Sequence, residues 1–276
     1  MPDPDDNHML TPALTGRVRA GVTAALHGAL AAQPGPVPPA RLAALPELVA
    51  AFFRLWPDRP VRNNTGGSGF NDSLTLYVLA RLIDPALIVE SGVHRGHATW
   101  VLRRACPQAE VHAFDPDLSG LVHRDPAAHY RARDWAEVPL TAPAGRPALA
   151  VFDDHVSHAR RIREAHARGF RLLLLDDNFP AEHLYATGVP PVPTLAMVLD
   201  PALVRGCEVA WRRRGRPRRY VHEGAAADDA DAARALVAAH LRLPDLAPVT
   251  RHAPQSNLTL VTTRLVATTA GVGGRP

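Results

Sequence analysis

The sequence predicts an α/β fold: a mostly parallel sheet with helices on both faces, preceded by a helical extension. Three observations predict it. Short apolar runs, ALIVE (86–90), EVHAF (110–114), a weaker HYRA (129–132), ALAVF (148–152) and RLLLL (171–175), alternate with helical stretches. Most of these runs are apolar almost throughout, as strands buried on both faces must be. Finally, several of them end in acids, glycine or asparagine, at the edge where ligands of such sheets bind.

The elements follow in order. Residues 10–33 and 40–56 read as two Ala/Leu-rich helices parted by a proline-rich breaker. Residues 57–71 are rich in turn formers, and the Asn63-Asn64-Thr65-Gly66-Gly67 segment is either a plain turn or a flap over the site. DSLTLYVLARLI (72–83) reads as a helix capped by Asp72. HATWVLRRA (97–105) and SHARRIREAHARG (157–169) are the crossover helices. Further on, 193–204 and 225–243 read as helix and SNLTLVTTRLV (256–266) as a β-branched strand. The division is therefore 1–71 as helical extension and cap loop, 72–268 as the α/β domain and 269–276 as a flexible tail.

Composition narrows the function. Of 276 residues, 46% are hydrophobic and 21% charged, as in a globular chain. No run approaches the roughly 18 apolar residues of a membrane span. The acidic start MPDPDDNHML is unlike a basic signal peptide, so a cytoplasmic, non-membrane protein is expected. Two cysteines make no disulfide framework, and no spacing suggests zinc. All 31 basic residues are arginine, which removes Schiff-base, P-loop and general-base lysines from consideration. A net charge of +4 argues against nucleic acid as a partner. The one dense basic cluster, Arg212–Arg219 between Trp211 and Tyr220, reads as a solvated β-hairpin or an oligomer contact, or else as a contact for a phosphate, carboxylate or nucleic acid.

The strand ends carry the chemistry. Glu90-Ser91-Gly92-Val93-His94-Arg95-Gly96 places two glycines between strand and helix, where backbone passes close to a ligand. The spacing is not the dinucleotide G-x-G-x-x-G, which disfavours a nicotinamide cofactor. Asp115 ends the second strand and suits ribose hydroxyls, although Asp-Pro-Asp also makes a turn. Asp134-Trp135 offers an adenine contact and a stacking face, or an exposed turn. Asp153-Asp154-His155 and Asp176-Asp177-Asn178 gather four carboxylates and an amide at one edge. Such acids repel unless neutralised and suit Mg²⁺ or another hard divalent cation, while helix capping explains one acid per strand. His183 and Tyr185 are positional candidates for an acceptor pocket.

E-x-G-x-x-x-G at 90–96 resembles motif I of class I S-adenosylmethionine (SAM) methyltransferases. F-D-D-H (152–155) with L-L-D-D-N (174–178) resembles the metal site of catechol O-methyltransferase-type enzymes, which carry F-L-D-H and L-A-D-N. The wider setting, with N-N-T-G-G (63–67), is similar to an uncharacterised bacterial and algal methyltransferase-like group. The resemblance covers about a third of the chain. It implies a Rossmann-like class I methyltransferase fold and a SAM- and metal-dependent O-methyltransferase of a small hydroxylated acceptor. The methyl acceptor would be a vicinal diol, catechol, sugar or natural-product intermediate in bacterial secondary metabolism. It implies Asp154, Asp177 and Asn178 as metal ligands, and Glu90, Gly92, His94, Gly96, Thr99, Asp115, Asp134 and Asp153 as the cofactor site. Two departures stand out. Ser157 replaces the family's lysine base, leaving His158 and His155 as candidates. Ala98 replaces a serine, with His97 or Thr99 as substitutes. Other metal-assisted chemistry and a non-catalytic SAM- or partner-binding role remain as alternatives, and the apolar helices within 10–56 are candidates to pair two copies in a homodimer.

Overall fold

The computed structural model describes residues 12–32, 37–253 and 257–265. The expected tail at 269–276 and the acidic N-terminus lie outside them. The chain begins with α1 (Pro12–Ala31), α2 (Pro39–Leu42), α3 (Leu45–Leu55) and α4 (Phe70–Ile83). Alternation follows: β1 (Leu87–Ser91), α5 (His97–Ala105), β2 (Glu110–Phe114), β3 (Ala128–Arg131), β4 (Ala148–Phe152), α6 (His158–Ala167) and β5 (Leu172–Leu175). After them come α7 (Leu195–Leu199), β6 (Glu208–Arg213), β7 (Arg216–Val221), α8 (Gly224–Leu236), β8 (Val237–Arg242), α9 (Ala247–Thr250) and β9 (Thr259–Thr263).

Seven strands form one sheet in the order β3-β2-β1-β4-β5-β9-β8. Strands β3 through β5 are parallel, and β9 runs antiparallel to both β5 and β8. This is a Rossmann-like α/β fold with a mostly parallel sheet. Strand order reverses between β1 and β4, so the crevice for a ligand opens outside their carboxyl ends. Alternate side chains feed two cores. Ile88, Val111, Leu149, Val151 and Leu174 pack on the side of α4, α5 and the N-terminal helices. Val89, Phe114, Ala150, Phe152, Leu173 and Leu175 pack on the side of α6 and α8.

The N-terminal helices join the first core: Val22, Leu26 and Leu30 of α1 and Leu45, Val49 and Phe52 of α3 are buried within the chain. No described helix is long and apolar enough to cross a membrane.

The fold corrects the sequence reading in three places. Gly69, not Asp72, is the N-cap of α4; Asp72 sits three residues in, and its carboxylate accepts the Gly69 N–H at 3.3 Å. The helix expected over 193–204 spans only Leu195–Leu199, stopping before Asp200, which precedes Pro201. The helix expected over 225–243 ends at Leu236, and Val237–Arg242 is strand β8 paired with β9. Its alanines suit helix by propensity, but its exposure alternates and its pairing satisfies the β9 edge, so tertiary context decides. The arginine cluster is a two-stranded antiparallel hairpin, β6–β7.

Phe52 tests the integration of the extension. Its ring is fully buried, with centroids 5.6 Å from Trp56, 5.5 Å from Phe70 and 5.6 Å from Tyr77. Phe52→Ala is expected to cost about 3–5 kcal/mol in urea unfolding. A loss below 1 kcal/mol would show that α3 is not part of the cooperative core.

Candidate active site at the carboxyl edge

The glycine loop is built by close backbone approach. Gly92 has φ +97°, and a Cβ there would lie 2.1 Å from the Asp153 carbonyl oxygen. At Gly96, φ is +85° and a Cβ would lie 2.1 Å from the His123 carbonyl oxygen. Both positions therefore exclude every side chain because of protein backbone alone. Asp115 holds the loop: its Oδ2 accepts the Val93 and His94 N–H groups at 3.0 and 3.1 Å, and its Oδ1 accepts Asp117 N–H at 3.0 Å. The turn reading of Asp-Pro-Asp is thus seen directly, and the same carboxylate stands at the mouth of the crevice.

Beneath the loop Glu90 is 1% exposed. The Thr99 hydroxyl donates to its Oε2 at 2.6 Å, while Oε1 is buried without a hydrogen-bond partner. Burial pushes the Glu90 carboxyl up to about 8, against the Thr99 bond and with help from the Asp115 charge. With Thr99 committed to Glu90 and the His97 ring against Ser73 at 2.9 Å, neither replaces the serine absent at Ala98.

The acids divide by strand alternation. Asp153 is inside the site, half-buried beside Asp176, and desolvation, then the Asp176 charge and hydrogen bond, then Asp177 and Asp72 push its carboxyl well above the usual range. The Oδ1 of Asp176 is buried with no hydrogen-bond partner. Burial and the Asp176 charge raise Asp177 to about 6, opposed by the Thr187 hydroxyl, which donates to it at 2.5 Å, and by His155 at 3.9 Å. Asp72, Asp153, Asp176 and Asp177 line one cavity of about 780 Å³.

Two of the three expected metal ligands are directed elsewhere. Asp154 points to the opposite side, where its Oδ2 accepts from Arg161 Nε and Nη2, both at 2.8 Å. Asn178 donates to Thr259 Oγ1 at 2.8 Å and accepts the Ala196 N–H at 2.7 Å, which uses its amide to tie β5 to β9 and α7. Of the set, Asp177 alone faces the cavity. Asp134 is likewise engaged, by Arg161 at 2.9 Å, Arg160 at 3.3 Å and the Ala136 N–H at 3.0 Å. Trp135 is fully buried between Phe152 and Phe170, so it offers no stacking face.

The histidines separate similarly. His158 is buried, its Nδ1 accepts the Leu195 N–H at 3.1 Å, and burial pushes its pKa down to about 3. A buried ring whose Nδ1 already accepts a backbone N–H, and which does not line the cavity, is not placed to take a substrate proton, which corrects that expectation. His155 lines the cavity and is half-exposed. His94 is exposed on the glycine loop, with burial and Arg95 lowering its pKa.

Gly66, Gly67 and Ser68 line the cavity on one side, and Arg95 Nη1 donates to the Asn63 carbonyl at 2.6 Å, which fastens that segment to the glycine loop. His183 lines the cavity, whereas Tyr185 is 54% exposed. Sequence reasoning missed Thr187 and Arg242, which also line it, as does Arg213 of the basic cluster. Arg213 is contributed by the hairpin and Arg242 by β8, the strand hidden in an apparent helix.

No family model matches the chain, and no curated protein matches it. Among solved structures it is similar to the O-methyltransferase TomG from Streptomyces achromogenes in complex with SAM: 14% identity, 79% of this chain, 90% of that one, TM-score 0.45. It is similar to SAH-bound methyltransferase PaMTH1 from Podospora anserina, with 14% identity over 78% of this chain and 88% of that one, TM-score 0.45. A Mg-SAM structure of the D160 form of CmcI gives 14% identity over 77% and 84%, TM-score 0.42. The fold assignment rests on strand order and the chemistry on the residues above.

Two outcomes are expected. Glu90 stays protonated to about pH 8 when folded but only to its ordinary 4.5 when unfolded. Its contribution is therefore complete below about 4.5 and is lost as pH rises through 8. Urea midpoints of wild type should fall over that window, and Glu90→Gln should flatten the fall; an unchanged profile would contradict the assignment. Arg161→Met strands Asp154 and should cost about 3–5 kcal/mol in the same assay.

Proposed function

We propose that the protein is a SAM-dependent, divalent-metal-dependent O-methyltransferase of a small hydroxylated acceptor. One observation carries the reading: at the reversal of strand order, a glycine loop held by Asp115 packs on the Asp153 backbone beside a cavity lined by Asp72, Asp153, Asp176 and Asp177. The donor set fits both groups. Buried oxygens that repel one another, one of them partnerless on Asp176, suit a hard cation such as Mg²⁺. The partnerless Glu90 oxygen beside Gly92 suits the positive amino-acid end of SAM.

Asp153 and Asp176, within hydrogen-bond reach of each other, would hold the metal in place of the Asp154, Asp177 and Asn178 set, and Glu90, Gly92, His94 and Asp115 would hold SAM. When bound, SAM supplies an activated methyl group and Mg²⁺ the Lewis acidity that lowers an acceptor hydroxyl's pKa. His155, at the cavity wall, takes the acceptor proton. Thr187 orients Asp177 by its hydroxyl, and the Gly66–Ser68 segment limits water above the floor. Arg213 and Arg242, on the wall, favour an acceptor that also carries an anionic group.

Calorimetric titration with S-adenosylhomocysteine, with and without Mg²⁺, tests the reading. Micromolar binding is expected, weakened about tenfold or more by Asp115→Ala. With an acceptor found among diols and catechols, His155→Ala should lower turnover about 10²-fold while leaving S-adenosylhomocysteine affinity unchanged. No binding under either condition would overturn the proposal.

A further inference from the structure

At the amino end of β2, the end of the strand away from Asp115, a second group of ligating side chains assembles. Glu110 and His112 are two residues apart on one strand, so they project from the same face. His129 of β3 is the register partner of His112. Register thus brings the imidazoles together, with ring centroids 4.8 Å apart at 36°. His112 Nε2 lies 2.6 Å from Glu110 Oε1. One ligand atom from each of the three residues falls within 4.8 Å of the others, and no other trio of His, Cys, Asp or Glu among the described residues does so.

Further observations bear on what would occupy it. His112 is 4% exposed, and its Nδ1 is buried without a hydrogen-bond partner. Glu110 and His129 are exposed, which leaves an entry path. Two imidazoles and one carboxylate are the donors of a borderline divalent ion; Mg²⁺ and Ca²⁺ prefer oxygen alone.

We propose that Glu110, His112 and His129 form a zinc-type metal site, separate from the carboxyl-edge cavity, that fastens edge strand β3 to β2. Strand β3 has four residues and pairs on one side only, so an ion bridging the register pair adds a tie that backbone pairing does not supply. Three protein ligands leave a fourth position for water. The site does not depend on the methyltransferase reading.

The test is titration of chelator-stripped full chain with Zn²⁺ by calorimetry, and with Co²⁺ by its visible absorption. One saturable Zn²⁺ site is expected, with a rise in Tm of about 5 °C or more at a hundredfold excess over Kd. His129→Ala and Glu110→Gln, both at exposed positions, should each weaken Zn²⁺ about tenfold or more and remove the Tm rise. The Asp153→Asn/Asp177→Asn double variant should retain both. Wild-type affinity in the His129→Ala and Glu110→Gln variants, loss of the site in the Asp153/Asp177 variant, or no saturable binding would each overturn the proposal. His112→Ala is not used, because its burial confounds folding with binding.

Discussion

Burying carboxylates in a parallel sheet is costly, and this chain does so on both sides of one strand end with opposite solutions. Asp153 and Asp154 are neighbours, so the alternation of an extended chain sends them to opposite sides. On one side Arg161, itself 1% exposed, binds Asp154, Asp134 and Glu164 with three ionic contacts of 2.7–2.9 Å. On the other, Asp153 meets Asp176 and Asp177 in a cavity whose wall also carries Arg213 and Arg242, and burial with mutual repulsion raises the proton affinity of Asp153 and Asp177. The first arrangement stabilises the fold. The second leaves carboxyls whose ionisation is suppressed by burial and by one another.

The frame that keeps this charge buried is rigid for identifiable reasons. Gly92 permits the loop after β1 to touch the Asp153 carbonyl, bringing the glycine loop and the acidic strand end to contact distance. Asn178 ties β5 to β9 and α7, so the segment carrying Asp176 and Asp177 is fixed from below. His158 does the same for α6 by accepting the Leu195 N–H. Residues that read as chemistry in the linear chain are here the clamps that position it. Such clamps are expected beside a site whose groups must be held within fractions of an ångström.

Much of the fold was legible because buried strands and crossover helices leave strong periodic signals. The bounds of β2 (Glu110–Phe114), β4 (Ala148–Phe152) and α5 (His97–Ala105) agree with the runs read from sequence. Strand β8 was not legible: Val237–Arg242 is alanine-rich and local propensity favours helix, while the hydrogen bonds that make it a strand come from β9. Arg242 was hidden with it. The candidate site was legible as a place, the carboxyl edge, and as a set of acids. Which acid of the Asp153–Asp154 pair faces inward was not, since a one-residue change of phase inverts the answer, and at the next strand end both Asp176 and Asp177 line the cavity.

The sequence by itself determined the alternation of strands and helices, the glycine loop after the first strand, the acidic strand ends and the absence of lysine chemistry. Those properties are local, written in composition and spacing over a few residues. Tertiary structure alone decided that Asp153 and Asp176 face the cavity while Asp154 meets Arg161, that His158 is sealed and His155 is not, and that His112 faces His129. Each of these depends on strand register and on which neighbour a side chain meets across the sheet, and that information exists only once distant segments are packed together.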